Sequence, residues 1–341
     1  MKDLKYLMAY SVPLSVVVSF YFKGPFSYVA LAYVFLFIPL IESILPVKVE
    51  EYSTDDINKR RLNRVFDWLL YLNVPIVYII LGYGLYNFST SVLSTYEYIG
   101  LVFALGILLA TNAVNVAHEL GHRKSKFEVI LTRLLLLPCL YMHFTMEHNY
   151  GHHKHVATDL DPATAKKGQS LYHFWITSVF GQYKNAWLIQ KKLLKKHGAH
   201  FLSTKNNMLL FIIYQAIYLG GVYTFFGFKI FLTALIVGII SFLFLETINY
   251  IEHYGLMRKK VNGKYEKVQN IHSWNSDHVM GRIVLYELTR HSDHHFRASK
   301  KYQVLESLEN SPTMPFGYPG SMLLATIPPL WYTVIHPKLK P

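Results

Sequence analysis

Six long, uncharged apolar runs constrain this chain more than any other feature. They occupy residues 6–22, 24–41, 68–86, 98–117, 208–228 and 230–245, and a membrane-spanning helix needs about 20 such residues, with a working range of about 17–25. The last run is the shortest, but it continues through Glu246 to Ile251. Pro13, Pro39 and Pro75 fall inside runs, where a membrane helix tolerates proline if neighbours satisfy the freed backbone groups. Composition agrees: charged residues are 16% of the chain, against about 25% in an average soluble domain, and the mean hydropathy is +0.22. A soluble enzyme and a disordered chain are both excluded. Lys2 and Lys5 precede the first run, but no small-residue cleavage site follows residue 22, so the run is expected to be a retained helix.

Orientation follows from the basic residues. With a cytoplasmic N-terminus, all of the 34 Lys and Arg except Lys23 and Lys229 lie on the cytoplasmic side, as the positive-inside bias requires. That asymmetry absorbs the formal charge of +13 and leaves little to support nucleic-acid binding. The expected fold is an all-α integral membrane protein, six transmembrane helices with a cytoplasmic histidine-rich catalytic cap. Residues 1–117 carry four transmembrane helices and a charged cytoplasmic loop, 47–67. A first histidine-rich region, 118–207, precedes helices five and six in 208–252, and a second fills 253–341 with a membrane-surface tail. Within these regions the apolar run 134–146 is too short to span and reads as a buried or re-entrant helix. Val261–Tyr265 contains an Asn-Gly hairpin signal. Residues 310–337 are uncharged but proline-rich, and read as a membrane-surface segment.

Seventeen histidines are the anomaly, and four clusters hold nine of them. His118 and His122 close the fourth run at i and i+4, on one helical face. Glu147-His148-Asn149-Tyr150-Gly151-His152-His153 follows the short apolar run; in an α-helix His148 and His152 share a face, with His153 about 140° from His148. His253 closes the sixth run. His291, His294 and His295 again share one helical face. Neutral imidazole suits zinc, copper, iron and nickel, and nine imidazoles exceed what one ion uses, so two metals are the economical count. Each cluster also carries an acid, Glu119, Glu147, Glu252 or Asp293, read as an acceptor that holds imidazole N–H groups and fixes their tautomers. His143, His272 and His278 lie near the clusters without a decisive pattern. His155, His173, His197, His200 and His336 stand alone and read as structural.

Other chemistries fit less of the pattern. Cys139 is the only cysteine, which excludes a disulfide framework, a CxxC pair and any all-cysteine metal site. His118–His122 is a literal HExxH, the zinc-protease signature, but that reading leaves seven clustered histidines unused. A transporter would place polar residues centrally in its spans, whereas here the histidines sit at span ends.

At this point the sequence resembles the membrane alkane monooxygenases, the alkane 1-hydroxylases. The matching segments are HELGH at 118–122, EHNYGHHKHVATDLDPATA at 147–165, NYIEHYGL at 249–256, HSWNSDH at 272–278 and HSDHHFRASKKYQVL at 291–305. Three histidine boxes alone fit fatty-acid desaturases too; NYIEHYGL, and HSDHH followed by YQ, point to the hydroxylases. The resemblance implies two iron ions in a non-haem di-iron centre, carried by His118, His122, His148, His152, His153, His253, His291, His294 and His295. It implies insertion of one oxygen atom from O2 into the terminal methyl group of a linear alkane, in a bacterial inner membrane. Xylene-type methyl hydroxylation and fatty-acid desaturation are the neighbouring activities. The sequence departs from the family's usual residues near Asp159, Asp277, Ala298, Lys300 and Lys301, which surround the proposed ligands.

Oxygen insertion needs electrons from outside. The chain has no strand–GxGxxG–helix signal for a dinucleotide, and Cys139 alone cannot hold an iron–sulfur centre. The resemblance implies rubredoxin as electron donor, with a rubredoxin reductase upstream. An acidic donor is expected on the basic cytoplasmic face, near Lys300 and Lys301 beside the last histidine box.

Overall fold

The computed structural model describes residues 2–47, 49 and 52–339. Lys48 and Lys340, and Glu50 and Glu51 of the charged loop, lie outside the described residues. Among those described, six helices are long and apolar enough to cross a membrane: Asp3–Phe22, Gly24–Ile44, Val65–Thr90, Thr95–Gly121, Asn207–Phe226 and Phe228–His253. They follow the six apolar runs one for one. The three prolines within the runs sit early in α-helical segments, in Ser11–Phe22, Ile38–Ile44 and Asn73–Thr90. Each segment continues a preceding helical stretch, Lys2–Tyr10 wound as 3-10 helix, Tyr33–Phe37 as π-helix and Val65–Tyr71 followed by a turn at Leu72. Such local changes of winding re-satisfy the backbone groups a proline frees. Helix starts are built from local chemistry as well. Ser94 accepts from Glu97 N while Glu97 Oε2 accepts from Ser94 N at 2.9 Å, the reciprocal capping arrangement.

The chain separates into two compact units. The first comprises Met1–Phe37, Arg64–Thr145 and Gln190–Phe244. Its central element is the span Thr95–Gly121, in whose most apolar 18-residue stretch 78% is buried, against 11% for that of Asn207–Phe226. Gly106 lets that central span approach another helix, since a Cβ there would overlap Ile240; small residues serve this purpose in membrane bundles. Polar side chains add specific ties. Asn112 Nδ2 donates to Asn73 Oδ1 at 2.8 Å and to Ala9 O at 3.3 Å, and Tyr98 hydroxyl meets Thr233 Oγ1 at 2.5 Å. In an apolar surround such groups are costly unless paired.

The second unit comprises Ile38–Asn63, Met146–Ile189 and Leu245–Pro341. It holds the expected hairpin, Lys260–Val261 against Lys264–Tyr265, turned by Asn262 and Gly263 at φ 49° and 74°, the left-handed pair an Asn-Gly turn supplies. Its interior is unusually polar. Arg282 Nε donates to Glu287 at 2.7 Å, and Arg290 donates to Asp277 at 3.3 Å and to Leu305 O at 2.6 Å. Glu246 accepts from Ser178 at 2.6 Å and from Gln182 at 2.9 Å. Both the arginines and Glu246 are buried, so these bonds are what make their burial tolerable.

Two expectations change in detail. The apolar run 134–146 is not one helix. Lys126–Leu136 ends within it, Pro138 and the left-handed Leu140 (φ 55°) break the chain into turns, and helix resumes at Phe144. The proline-rich tail folds into two eight-residue helices, Tyr318–Ala325 and Pro328–Ile335. At about 1.5 Å per residue neither approaches the roughly 30 Å apolar core of a bilayer.

Candidate metal centre

His118 and His122 lie at the end of the fourth span, directly after a π-helical stretch, Leu109–Val114. Their ring centroids are 5.3 Å apart. Glu119 between them accepts from Arg123 at 3.1 Å, and Arg123 also donates to Glu128 at 2.8 Å and to Asp67. This box belongs to the first unit.

The other seven clustered histidines belong to the second unit and come together there. Two groups form. One ring nitrogen from each of His152, His253, His291 and His295 lies within 4.8 Å of the corresponding atom of the others, and all four residues are buried. One ring nitrogen from each of His148, His153 and His294 likewise lies within 4.8 Å of the others. Closest approaches are His148 to His153 at 3.0 Å, His253 to His291 at 3.1 Å and His152 to His295 at 3.2 Å, each between Nε2 atoms. The groups adjoin: His153 and His295 ring centroids are 4.6 Å apart. Such convergent nitrogens, with the rings packed on one another, form a donor set for soft-to-borderline metal ions.

The division of the second box departs from the α-helical expectation. His148–His152 is π-wound, and the wider turn brings His148 and His153, five apart, into one group while His152 joins the other. Gly151 is needed inside this turn, since a Cβ there would stand 2.5 Å from Glu147 Oε1.

Electrostatics act on the imidazoles in opposite directions. Burial, then the surrounding imidazoles of His291, His153, His152 and His253, holds His295 well below its ordinary range. Burial also opposes a charge on His152, but Asp161 outweighs it and lifts that imidazole; the same contact holds Asp161 down despite its own burial. Asp161 Oδ2 stands 2.9 Å from His152 Nδ1, so in the neutral ring Nδ1 carries the proton and Nε2, the atom facing His295, is the one able to bind metal. Burial, reinforced by Asp161, pushes the Glu147 carboxyl up to about 8.

The four acids beside the boxes have distinct partners. Glu252 Oε2 lies 3.1 Å from His291 Nε2. Glu147 accepts from Asn185 at 3.4 Å. Asp293 accepts from Lys300 Nζ at 2.6 Å and from Glu306 N at 2.8 Å. Lys300 also pairs with Glu306 at 2.6 Å, and its side chain is 12% exposed, so it is an internal ion-pair member rather than an open docking charge. Asp161 lies outside the four histidine clusters in sequence. Its only signal there is its place in the matching segment 147–165, ahead of Pro162. Asp277 accepts from Ser307 at 2.6 Å and pairs with Arg290 at 3.3 Å.

His143, His272 and His278 are not members of either group. Burial drives His143 down to about 3. His272 Nδ1 accepts from Gln269 N at 3.0 Å, and His278 Nδ1 meets Ser276 Oγ at 3.0 Å. His336, one of the lone histidines, meets the Tyr254 hydroxyl at 2.9 Å.

Residues 94–322 match the fatty acid desaturase family model. Alkane 1-monooxygenase 1 of Alcanivorax borkumensis is 38% identical over 295 residues, covering 85% of this chain and 72% of its own length. Alkane 1-monooxygenase of Pseudomonas putida is 35% identical over 303 residues, covering 89% and 75%. The xylene/toluene monooxygenase hydroxylase component XylM of Pseudomonas putida is 27% identical over 351 residues, covering 100% and 90%. With six apolar helices, converging histidine boxes and relatives above a third identical over most of its length, the chain belongs to the fatty acid desaturase family and, within it, to the alkane 1-monooxygenases.

Proposed function

We propose that this protein is a non-haem di-iron monooxygenase that converts a linear alkane to its primary alcohol, taking one oxygen atom from O2. The observation that carries the reading is the pair of adjoining groups of buried imidazole nitrogens in a chain of this family. His152, His253, His291 and His295 hold one iron. His148, His153 and His294 hold the other, and the family resemblance implies His118 and His122 as further iron ligands. When bound, the irons supply O2 activation; the protein supplies ligation, orientation and exclusion of water. Asp161 and its partners orient His152, Glu252 places negative charge beside the Nε2 of His291 and Glu147 adds a buried carboxyl tied to Asn185, while Glu119 and Asp293 brace the boxes through Arg123 and Lys300.

The substrate follows from the surroundings. Histidine boxes at the ends of apolar helices favour a molecule without polar groups, because a carboxylate would be costly to desolvate there. The greater identity to the alkane enzymes than to the xylene relative supports a linear hydrocarbon. The positive-inside asymmetry supports a bacterial inner-membrane location, with the boxes on the cytoplasmic side, where rubredoxin delivers electrons from its reductase.

Iron and zinc quantification on purified, membrane-extracted protein, together with product analysis on octane, tests the reading. Two irons per chain and 1-octanol are expected. Zinc without iron in active protein would overturn the metal assignment. A double bond in the product would move the activity to desaturation.

A further inference from the structure

Tyr318 opens the short helix Tyr318–Ala325, far along the chain from any histidine box, yet its hydroxyl donates to Glu252 Oε1 at 2.7 Å. The other oxygen of that carboxylate stands 3.1 Å from His291 Nε2, and the same nitrogen is 3.1 Å from His253 Nε2. Tyr318 is 2% exposed and Glu252 4%. The final torsion of a glutamate is broad and nearly two-fold, so an imidazole on one oxygen alone leaves the carboxylate able to swing. A donor on the second oxygen removes that freedom.

The phenol is itself held in place. Gly317 caps the helix, and a Cβ there would overlap Glu42 Oε2, while Glu42 Oε1 accepts from Gly281 N at 2.7 Å. Glu42 and the two glycines thereby fix where the helix begins. At the other end of the relay, Trp274 N donates to Glu252 O at 2.8 Å, so the backbone of Glu252 is fixed as well. Only the side-chain torsions remain, and Tyr318 sets the last of them.

We propose that Tyr318 is a positioning residue for the metal held by His152, His253, His291 and His295, acting through Glu252. It touches neither the metal nor the substrate. Its hydroxyl decides where Glu252 Oε2 stands beside His291 Nε2, the nitrogen that faces His253 within the group, and so the negative field at the metal. The inference rests on the two-iron reading above.

The test uses full-length protein loaded with iron-57, comparing wild type with Tyr318→Phe and Gly317→Ala. Loss of the hydroxyl is expected to change the Mössbauer spectrum of one iron and leave the other as in wild type. Release of that iron to a chelator should accelerate by about tenfold, within the range for partners that orient metal-bound imidazole. With octane, kcat should fall while KM holds. Gly317→Ala keeps the phenol but displaces the start of its helix, so the same iron should respond; this variant carries the test if Tyr318→Phe does not accumulate. Spectra and release rates equal to wild type in a folded variant would overturn the positioning role alone. Wild-type protein that binds no iron would remove the reading beneath it, and the proposal with it.

Discussion

Asp161 carries the sharpest expectation attached to a single side chain. It stands nine residues beyond His152 and faces that ring at 2.9 Å, while Thr164 Oγ1 at 2.6 Å and Ala163 N at 3.1 Å complete its shell. Asp161→Asn keeps the size but replaces an acceptor oxygen with an amide and removes the charge that fixes the His152 tautomer. Metal affinity should fall by about 10–100-fold, read by chelator competition. His336→Ala, which changes a histidine outside both groups, should leave it unaltered. Unchanged affinity in Asp161→Asn would reduce Asp161 to shaping the turn around Pro162. The histidines themselves were legible in sequence because their spacing repeats. Asp161 was not, since proximity in sequence to a histidine was the only guide to which acids matter. Adjacency does not name the partners of Asp293 either, which are Lys300 and Glu306. A carboxylate finds its partner through the fold, and adjacency along the chain carries little of that information.

Among the elements, the apolar spans were readable in number and order with ends a few residues off, because length and absence of charge decide them independently of packing. The departures occur where backbone winding is set by tertiary demand. Nothing in HNYGHH announces a π turn, yet that winding sorts His148 with His153 and sends His152 to the other group. The linker after Lys126–Leu136 is similar: Pro138 signalled a break, but apolarity alone suggested a continuous helix. This linker contains His143, which makes a pH expectation. Burial holds the folded imidazole down to about 3, from an ordinary value of 6.5. Between those values the unfolded chain binds a proton that the folded chain does not. Stability from this group is therefore retained above the ordinary value and lost as pH falls, by up to about 1.4 kcal/mol per pH unit. The neutral variant His143→Gln should flatten the decline in melting temperature of metal-free protein between pH 7 and pH 5. An equally steep decline in wild type and variant would show that His143 is not a source of the acid sensitivity.

At the scale of the whole molecule, two expectations depend on the membrane. Cys139 is buried, and burial pushes its thiol up to about 12, so it should be inert to labelling reagents and the native background suffices for topology mapping. An impermeant reagent applied outside should modify a cysteine at the fully exposed Val92 and spare one at the exposed Lys167; the reverse pattern would invert the orientation. The second expectation concerns the electron donor. Lys300 was the natural docking candidate in sequence because charge is legible there while pairing is not. In the folded chain it is tied to Asp293 and Glu306, so Lys300→Glu should disturb the last histidine box and lower iron content. Lys260 and Lys264 on the hairpin are exposed, and no carboxylate pairs with either among the described residues. They are better placed to meet an acidic carrier in solution. Opposite charges speed encounter, and salt weakens that attraction as the screening length shrinks to about 10 Å at 0.1 M. Turnover with purified rubredoxin and its reductase should therefore need more rubredoxin for half-maximal rate as ionic strength rises. The Lys260→Glu, Lys264→Glu double variant should show the same increase at low salt, with iron content unchanged. Insensitivity to both salt and reversal would place donor recognition on uncharged surface. Turnover with NADH alone would remove the need for an external carrier.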